Sequence, residues 1–341
     1  MKSFQDINLP KLSSFRAEIN QGPMTYRDWK RQRLESVGDL YNALPGPIQN
    51  ASVFEVHPYQ DLYQPRMPQD PACYIIGTAP PASYVRAKVP GFDGFYDGQV
   101  EINGKCLGSA PNLLFYHGNV GSFWDAIGFQ ANTVESILAT LNHRKIRYDD
   151  ICFSWSRCDF RSPADSDLTD IVPNIDLLKD VWHRLDKPFL WFTNSGVFGA
   201  NGIPLHQNQN LQGSPGKVMS HRNNVTAYNL FLRAWQELGA EVSVRPSVQD
   251  DWIKLCVNNV QLLENIRHLI AHELRIQFRG TAREYPVLSG PSPSRLANLQ
   301  LSNHPLYHEW CDAQSIERNG NVANFKTHVY AGFLETIAKN A

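Results

Sequence analysis

The chain has 341 residues, 42% of them hydrophobic and 19% charged, which is enough apolar material for one large domain with additions or for two domains. A formal net charge of −1 and an isoelectric point near 6.8 exclude a general basic coat, so any nucleic-acid contact must come from a local patch of Lys and Arg. Residues 1–15 lack the apolar core of a signal peptide, and no stretch approaches the ~20 apolar residues of a bilayer span; both predict a cytoplasmic protein without membrane contact.

Residues 1–70, rich in Pro, Gln and Arg, read as an extension wrapped on a core. The first apolar run, 73–78 (CYIIGT), predicts a buried strand. Residues 123–142 carry Phe123, Ile127, Val134, Ile137, Leu138 and Leu141 at helical spacing. A second strand is expected at 150–155 (DICFSW), a helix at 175–185 and a third strand at 188–193 (PFLWFT). A polar loop then opens at 205. It is followed by a helix at 226–238 that ends at Gly239, a natural C-cap, and by a long helix at 251–274. A strand at 285–289 (YPVLS) and a helix at 325–337 complete the pattern. Near-continuous apolar strands separated by helices indicate a parallel sheet covered on both faces. The expected architecture is an α/β fold: a three-layer α/β/α sandwich over 71–341 with a central four-stranded, mostly parallel sheet, and with a loop and helices inserted at about 205–280.

The six cysteines form no C-x-x-C pair, and several lie in apolar runs, which predicts neither a zinc site nor a disulfide frame. His268 and His272 are spaced i,i+4 but lack the H-E-x-x-H order, so no metal is expected there. Gly213–Lys217 (GSPGK) lacks the first glycine of a phosphate loop. No cofactor is expected.

Three segments carry chemistry-bearing residues. Gly77-Thr78-Ala79-Pro80-Pro81 directly follows the first strand, at the end where α/β sheets bind ligands; alone it is equally an ordinary turn. Phe115-Tyr116-His117-Gly118-Asn119, running on to Phe123-Trp124, places aromatics, an imidazole and an amide ahead of a helix. Phe123 and Trp124 read as core anchors, whereas packing does not account for His117 and Asn119. Ser289-Gly290-Pro291-Ser292-Pro293-Ser294-Arg295-Leu296 follows the last strand, with hydroxyls and a guanidinium suited to phosphate. Arg157 and Asp159, beyond the second strand, suit the edge of a base, and equally suit a surface ion pair.

Taken together, G-T-x-P-P after the first strand, an aromatic loop ending in Phe-Trp, and P-S-P-S after the last strand resemble the uracil-DNA glycosylase superfamily, with the mismatch-specific and hypoxanthine-DNA glycosylase branches nearest. The resemblance covers about 71–200 and 281–310 and has no counterpart elsewhere in the chain. It departs at three positions: Ala79 stands where many relatives have a water-orienting Asp or Asn, Gly121 where an ungapped match would place the Asn of the aromatic loop, with Asn119 two residues earlier as its substitute, and Gly290 where several have His. The resemblance implies a monofunctional DNA N-glycosylase that flips a base from duplex or single-stranded DNA and hydrolyses its glycosidic bond. Asn119, His117 and Asp159 are then the expected catalytic residues. Gly77, Thr78, Ala79, Pro80, Phe115, Tyr116 and Arg157 would form the base pocket. Ser292, Ser294, Arg295, Leu296, Lys217 and Arg222 would contact DNA. The extension and insertion motivate a bulkier target, such as a hypermodified phage base, which would make the chain a defence enzyme rather than a repair enzyme. Two alternatives stay open: a non-catalytic nucleic-acid binder on a glycosylase core, and a nucleoside hydrolase.

Overall fold

The computed structural model describes residues 53–57, 64–80, 99–102, 105–109, 123–124, 127–128, 134–157, 165, 168–195, 225–246, 271–293 and 297–340. In chain order the elements are β1 (Val53–Val56), β2 (Cys73–Gly77), β3 (Gln99–Ile102), β4 (Lys105–Ser109), α1 (Val134–His143), β5 (Ile146–Asp150), β6 (Cys152–Arg157) and β7 (Leu168–Pro173). They continue with α2 (Ile175–His183), β8 (Phe189–Phe192), α3 (Ala227–Glu237), β9 (Glu241–Pro246), β10 (Ala271–Phe278), β11 (Thr281–Ser289), α4 (Ala297–Leu301), α5 (Pro305–Gln314) and α6 (Val322–Asn340).

The chain is mixed α/β with a mostly parallel central sheet in the order β5-β2-β8-β11-β10-β9. The first four strands run parallel, and β10 and β9 add an antiparallel end. Register decides which side chains share a face. Tyr74 and Ile76 lie beside Leu190 and Phe192, which lie beside Val287 and Ser289. This face buries its apolar side chains against Leu177, Leu178, Val181 and Trp182 of α2 and Phe231 and Trp235 of α3. Asn174 and Thr226 cap those two helices, each accepting a backbone N–H with its side-chain oxygen. The other face carries Ile75, Tyr148, Trp191 and Leu288. There Trp191 packs against Tyr330 and Phe333 of α6, with ring centroids 5.5 and 5.2 Å apart. Phe123 bridges Trp191, Tyr330 and Tyr148. Such tilted and edge-on aromatic pairs add about 0.5–1.5 kcal/mol each beyond the area they bury.

Three expectations are corrected. Among the described residues the main sheet has six strands, not four. The run at 150–155 is not one parallel strand: the parallel strand is Ile146–Asp150, and after Ile151 the chain enters β6, the centre of a separate antiparallel sheet ordered β1-β6-β7. The helix expected through Leu274 gives way by residue 271 to strand β10, while residues 251–270 lie outside the described residues. From Ala271 onward the pattern has period two, with Leu274, Ile276 and Phe278 buried and Arg275 and Gln277 facing out. A two-residue turn, Arg279-Gly280, with φ of 53° and 78°, closes the hairpin to β11. Residues 225–278, placed in sequence within an insertion, thus supply one covering helix and two strands of the sheet.

Of the residues before 70, 53–57 and 64–69 are described: β1 pairs with β6, and His57 just beyond it is buried. Among the described residues, no helix is long and apolar enough to cross a membrane, and no cluster of His, Cys, Asp and Glu is arranged to hold a metal ion. His272 lies on β10 with its Nε2 2.8 Å from the Tyr228 hydroxyl. His268 lies outside the described residues.

Candidate functional site

The ends of β2, β8 and β11 point the same way, so the segments that follow them leave the sheet along one edge. Ile76, Phe192 and Ser289 are aligned across the three strands. At about 4.8 Å per strand, the Gly77–Pro80 and Ser289–Pro293 segments are roughly 10 Å apart, separated by the end of β8. Backbone bonds extend the order past the strands: Thr193 N donates to the Ile76 carbonyl, Gly290 N to the Phe192 carbonyl, Ile151 N to the Gly77 carbonyl and Cys152 N to the Thr78 carbonyl. The Tyr330 hydroxyl fixes the last segment by donating to the Pro291 carbonyl at 2.7 Å.

Beside this edge, at the end of β5, lies a polar cluster that the sequence did not announce. Asp150 Oδ2 sits 2.9 Å from His57 Nε2, with both side chains fully buried. The Tyr148 hydroxyl donates to Asp150 Oδ1 at 3.3 Å. Asp149 points to the opposite face, where it accepts from Gln64 Nε2 at 2.5 Å, from Asn174 Nδ2 at 3.1 Å and from the Asp150 backbone N–H at 2.8 Å. Asn174 also caps α2 and donates to the Asp150 carbonyl, so one amide ties the helix start to both acids. Burial pushes the Asp149 carboxyl up to about 7, against the pull of the Arg147 charge. Burial likewise pushes Asp150 up to about 7, with the Tyr148 hydrogen bond acting the other way. Two carboxyls poised near neutrality at the binding edge of a parallel sheet are a pattern that active sites share with structural ion-pair networks.

This cluster accounts for Gly77. A Cβ on that residue would lie 2.1 Å from Asp150 Oδ1 and 2.6 Å from the Tyr148 hydroxyl, so the Asp150 carboxylate occupies the space a side chain would need. The same logic holds at Gly290, where a Cβ would come within 2.7 Å of Trp191 Nε1 and 3.3 Å of the Phe333 ring. Ala79, 5% exposed, belongs to the apolar cluster with Cys152 and Trp155, and no larger side chain fits at Gly290 without moving Trp191.

Of the residues expected to line the base pocket, Gly77, Thr78, Ala79 and Pro80 are all buried at this edge. Ser292 is half-buried in the segment after β11. The backbone of Arg157 ends β6, opposite Val53 and Leu168 in the second sheet rather than on the parallel one. Phe115, Tyr116, His117, Asn119, Asp159, Lys217, Arg222, Ser294, Arg295 and Leu296 lie outside the described residues. Three buried polar atoms on the strands of this edge have no hydrogen-bond partner: Thr78 Oγ1, Trp191 Nε1 and Ser289 Oγ. An unmet buried hydroxyl costs about 1–3 kcal/mol, and sites that bind ligands are where such costs are retained.

Sequence reasoning missed His57, Tyr148, Asp149, Asp150 and Asn174. One signal was present: adjacent acids at the end of an apolar strand, Asp149-Asp150, seldom stay buried unless something pairs them. Their partners come from 93 positions earlier for His57 and 85 for Gln64, a distance no local pattern spans. Comparison with protein-family models, with curated proteins and with solved structures finds no match for this chain.

Proposed function

We propose that this chain is a DNA N-glycosylase, acting in the cytoplasm on a three-layer α/β/α core, that extrudes a modified or damaged base and hydrolyses its glycosidic bond. One observation supports this most: the two segments that carry the family likeness, Gly77–Pro80 and Ser289–Pro293, leave the sheet at one edge on strands that flank β8, with partnerless hydroxyls of Thr78 and Ser289 beside them.

In this reading, extrusion costs a few kcal/mol of unstacking, which contacts to the strand must offset. Ser292 and Ser294 hold phosphates, Lys217 and Arg222 attract the backbone, and Arg295 with Leu296 fills the gap left in the stack. Phe115 or Tyr116 stacks on the flipped base, and Arg157 reads its edge. Asn119 holds a water under the sugar C1′. As the C1′–N bond breaks and the sugar gains oxocarbenium character, the water oxygen bonds to C1′ and gives its proton to His117, which can pass it to the leaving base, while Asp159 helps orient the water. The departing base carries the bonding electron pair and takes up a proton. Catalysis then rests on placement and fixed dipoles. The buried His57–Asp150 pair is a positioning device here: it is sealed from solvent and braces Gly77, the first residue of the pocket wall.

Incubating the chain with DNA that carries a panel of altered bases, followed by mild alkali, tests the reading. Abasic sites are expected from the wild-type chain, with a loss of about 100-fold or more in Asn119→Ala. Absence of abasic sites across the whole panel overturns it. Release of hypermodified phage bases identifies a defence enzyme, while release confined to uracil or hypoxanthine identifies a repair enzyme.

A second reading has an observation of its own. Ala79 and Gly290, the two positions where relatives keep catalytic side chains, carry none here, and a Cβ at Gly290 would come within 2.7 Å of Trp191 Nε1. That favours a non-catalytic binder, which would retain DNA through the same edge and release no base.

A further inference from the structure

The opposite end of the sheet presents a different arrangement. β11 begins well before β8: Val287 pairs with Leu190, so Ala282–Tyr285 overhang the start of β8. The turn from α2 to β8 crosses that overhang and leaves a cleft of about 320 Å³ between them. Arg184, Lys187, Arg275 and Arg283 line it, against a single carboxylate, Glu284.

Their pairing is uneven. Arg184 is committed to Asp70 at 3.0 Å and Asp180 at 3.1 Å. Glu284 is shared between Lys187 at 3.8 Å and Arg245 at 3.5 Å, so its charge is offset. Arg275 and Arg283 form no ion pair with any described residue. Arg283 is held in place by its Nη1 donating to the Arg184 carbonyl at 2.7 Å and by stacking over Trp182, 5.0 Å from the ring centroid. Its Nε–H is buried and has no acceptor. Thus four cationic side chains and one carboxylate border the cleft, and neither Arg275, which lies across the strands from Glu284, nor Arg283 is held in an ion pair. Leu185, 80% exposed, lies at the rim.

We propose that this cleft binds the phosphate of a nucleotide, with Arg275 and Arg283 as its ligands and Leu185 against the sugar or base. Planar guanidiniums bind phosphate oxygens in pairs, and a phosphate would offset the excess positive charge that borders the cleft. The volume suits one phosphate and its sugar rather than a duplex. The source is either a free nucleotide or one link of a single strand, since both offer the same group.

The test is equilibrium binding of the full chain to three probes: ATP, adenosine, and a short single-stranded oligonucleotide of unmodified bases. ATP or the oligonucleotide should bind and adenosine should not. Arg275→Gln should weaken binding about tenfold, the loss of one charge-assisted contact. Arg283→Gln should do the same or more, but Arg283 also supports the fold, so Arg275→Gln is the decisive variant. Binding of ATP marks a free-nucleotide site. Binding of the oligonucleotide alone, with about one unit less salt dependence in Arg275→Gln, marks a strand contact. Equal affinities of Arg275→Gln and the wild-type chain, or no binding of either phosphate probe, overturns the proposal. This inference stands apart from the glycosylase reading: phosphate binding through Arg275 without base release leaves it intact, and base release without such binding removes it alone.

Discussion

The two ends of the central sheet handle charge in opposite ways. At the carboxyl ends of the parallel strands, His57, Asp149 and Asp150 are fully buried, and Tyr148, Gln64 and Asn174 are among the groups that donate to the two acids. At the other end, Arg275 and Arg283 lie in an open cleft without carboxylate partners. Burial makes the first set costly and therefore tightly specified, because an ion in a low-dielectric interior is tolerated only when its partners are in place. Hydration makes the second set inexpensive and leaves it available to a ligand. A mutation should unfold the chain at the first end and leave it folded at the second.

The largest effect is expected at His57. His57→Ala leaves Asp150 buried without its partner and should lower the free energy of unfolding by about 3–5 kcal/mol, measured by denaturant titration. The double variant with Asp150→Asn should regain part of that loss. If the single variant were as stable as the wild-type chain, the buried pair would not be a specified feature.

Gly77→Ala comes next. Its Cβ would fall 2.1 Å from Asp150 Oδ1, and overpacking of this kind costs about 1–3 kcal/mol. The same change at half-buried Gly332, where an added Cβ meets nothing within 4 Å, is the control and should be neutral or slightly stabilising. Equal effects at the two glycines would break the comparison.

The acids predict a pH dependence of definite sign. Asp149 and Asp150 are raised to about 7 in the folded chain, against about 3.9 when unfolded, so the native state holds more protons between those values. Stability is therefore fully present below pH 4 for these groups and declines as pH rises toward 7, at most about 1.4 kcal/mol per pH unit for each. His328, whose pKa burial lowers, works in the opposite direction as its unfolded form protonates. The informative quantity is thus the difference between the wild-type chain and Asp149→Asn in denaturant titrations at pH 5 and pH 8. Asp149→Asn should show the flatter profile; parallel profiles would place the acid outside this balance.

The smallest effect is expected at the cleft. Arg275→Gln removes no ion pair and should change stability by less than about 0.5 kcal/mol. A loss of several kcal/mol would mean that the cleft, like the opposite edge, is part of the frame.

How much of this was legible beforehand varied by region. The strand at 73–77, the helix at 175–183 and the helix at 227–237 that ends before Gly239 were evident from apolar runs and spacing, whereas their N-caps, Asn174 and Thr226, emerged from the structure. The hairpin of β10 and β11 was not. Apolar spacing through 253–270 fits a helical period, and nothing in that stretch announces the switch to period two at 271. The Arg-Gly turn flanked by alternating Leu274, Ile276 and Phe278 was the overlooked signal. At the candidate site, Gly77–Pro80 stood out as a motif, but its burial did not. Whether Gly77 faces a ligand or a carboxylate depends on what β5 places beside it.

The sequence by itself determined the mixed α/β class, the buried parallel strands and the two Gly/Pro-rich segments that follow β2 and β11, because periodicity and turn chemistry are local properties of the chain. Only the tertiary structure decided that β10 and β9 extend the sheet, that His57 meets Asp150, and that Arg275 and Arg283 share a cleft. Those pairings join residues far apart in sequence, and their energies depend on burial and on partners, neither of which exists until the chain has folded.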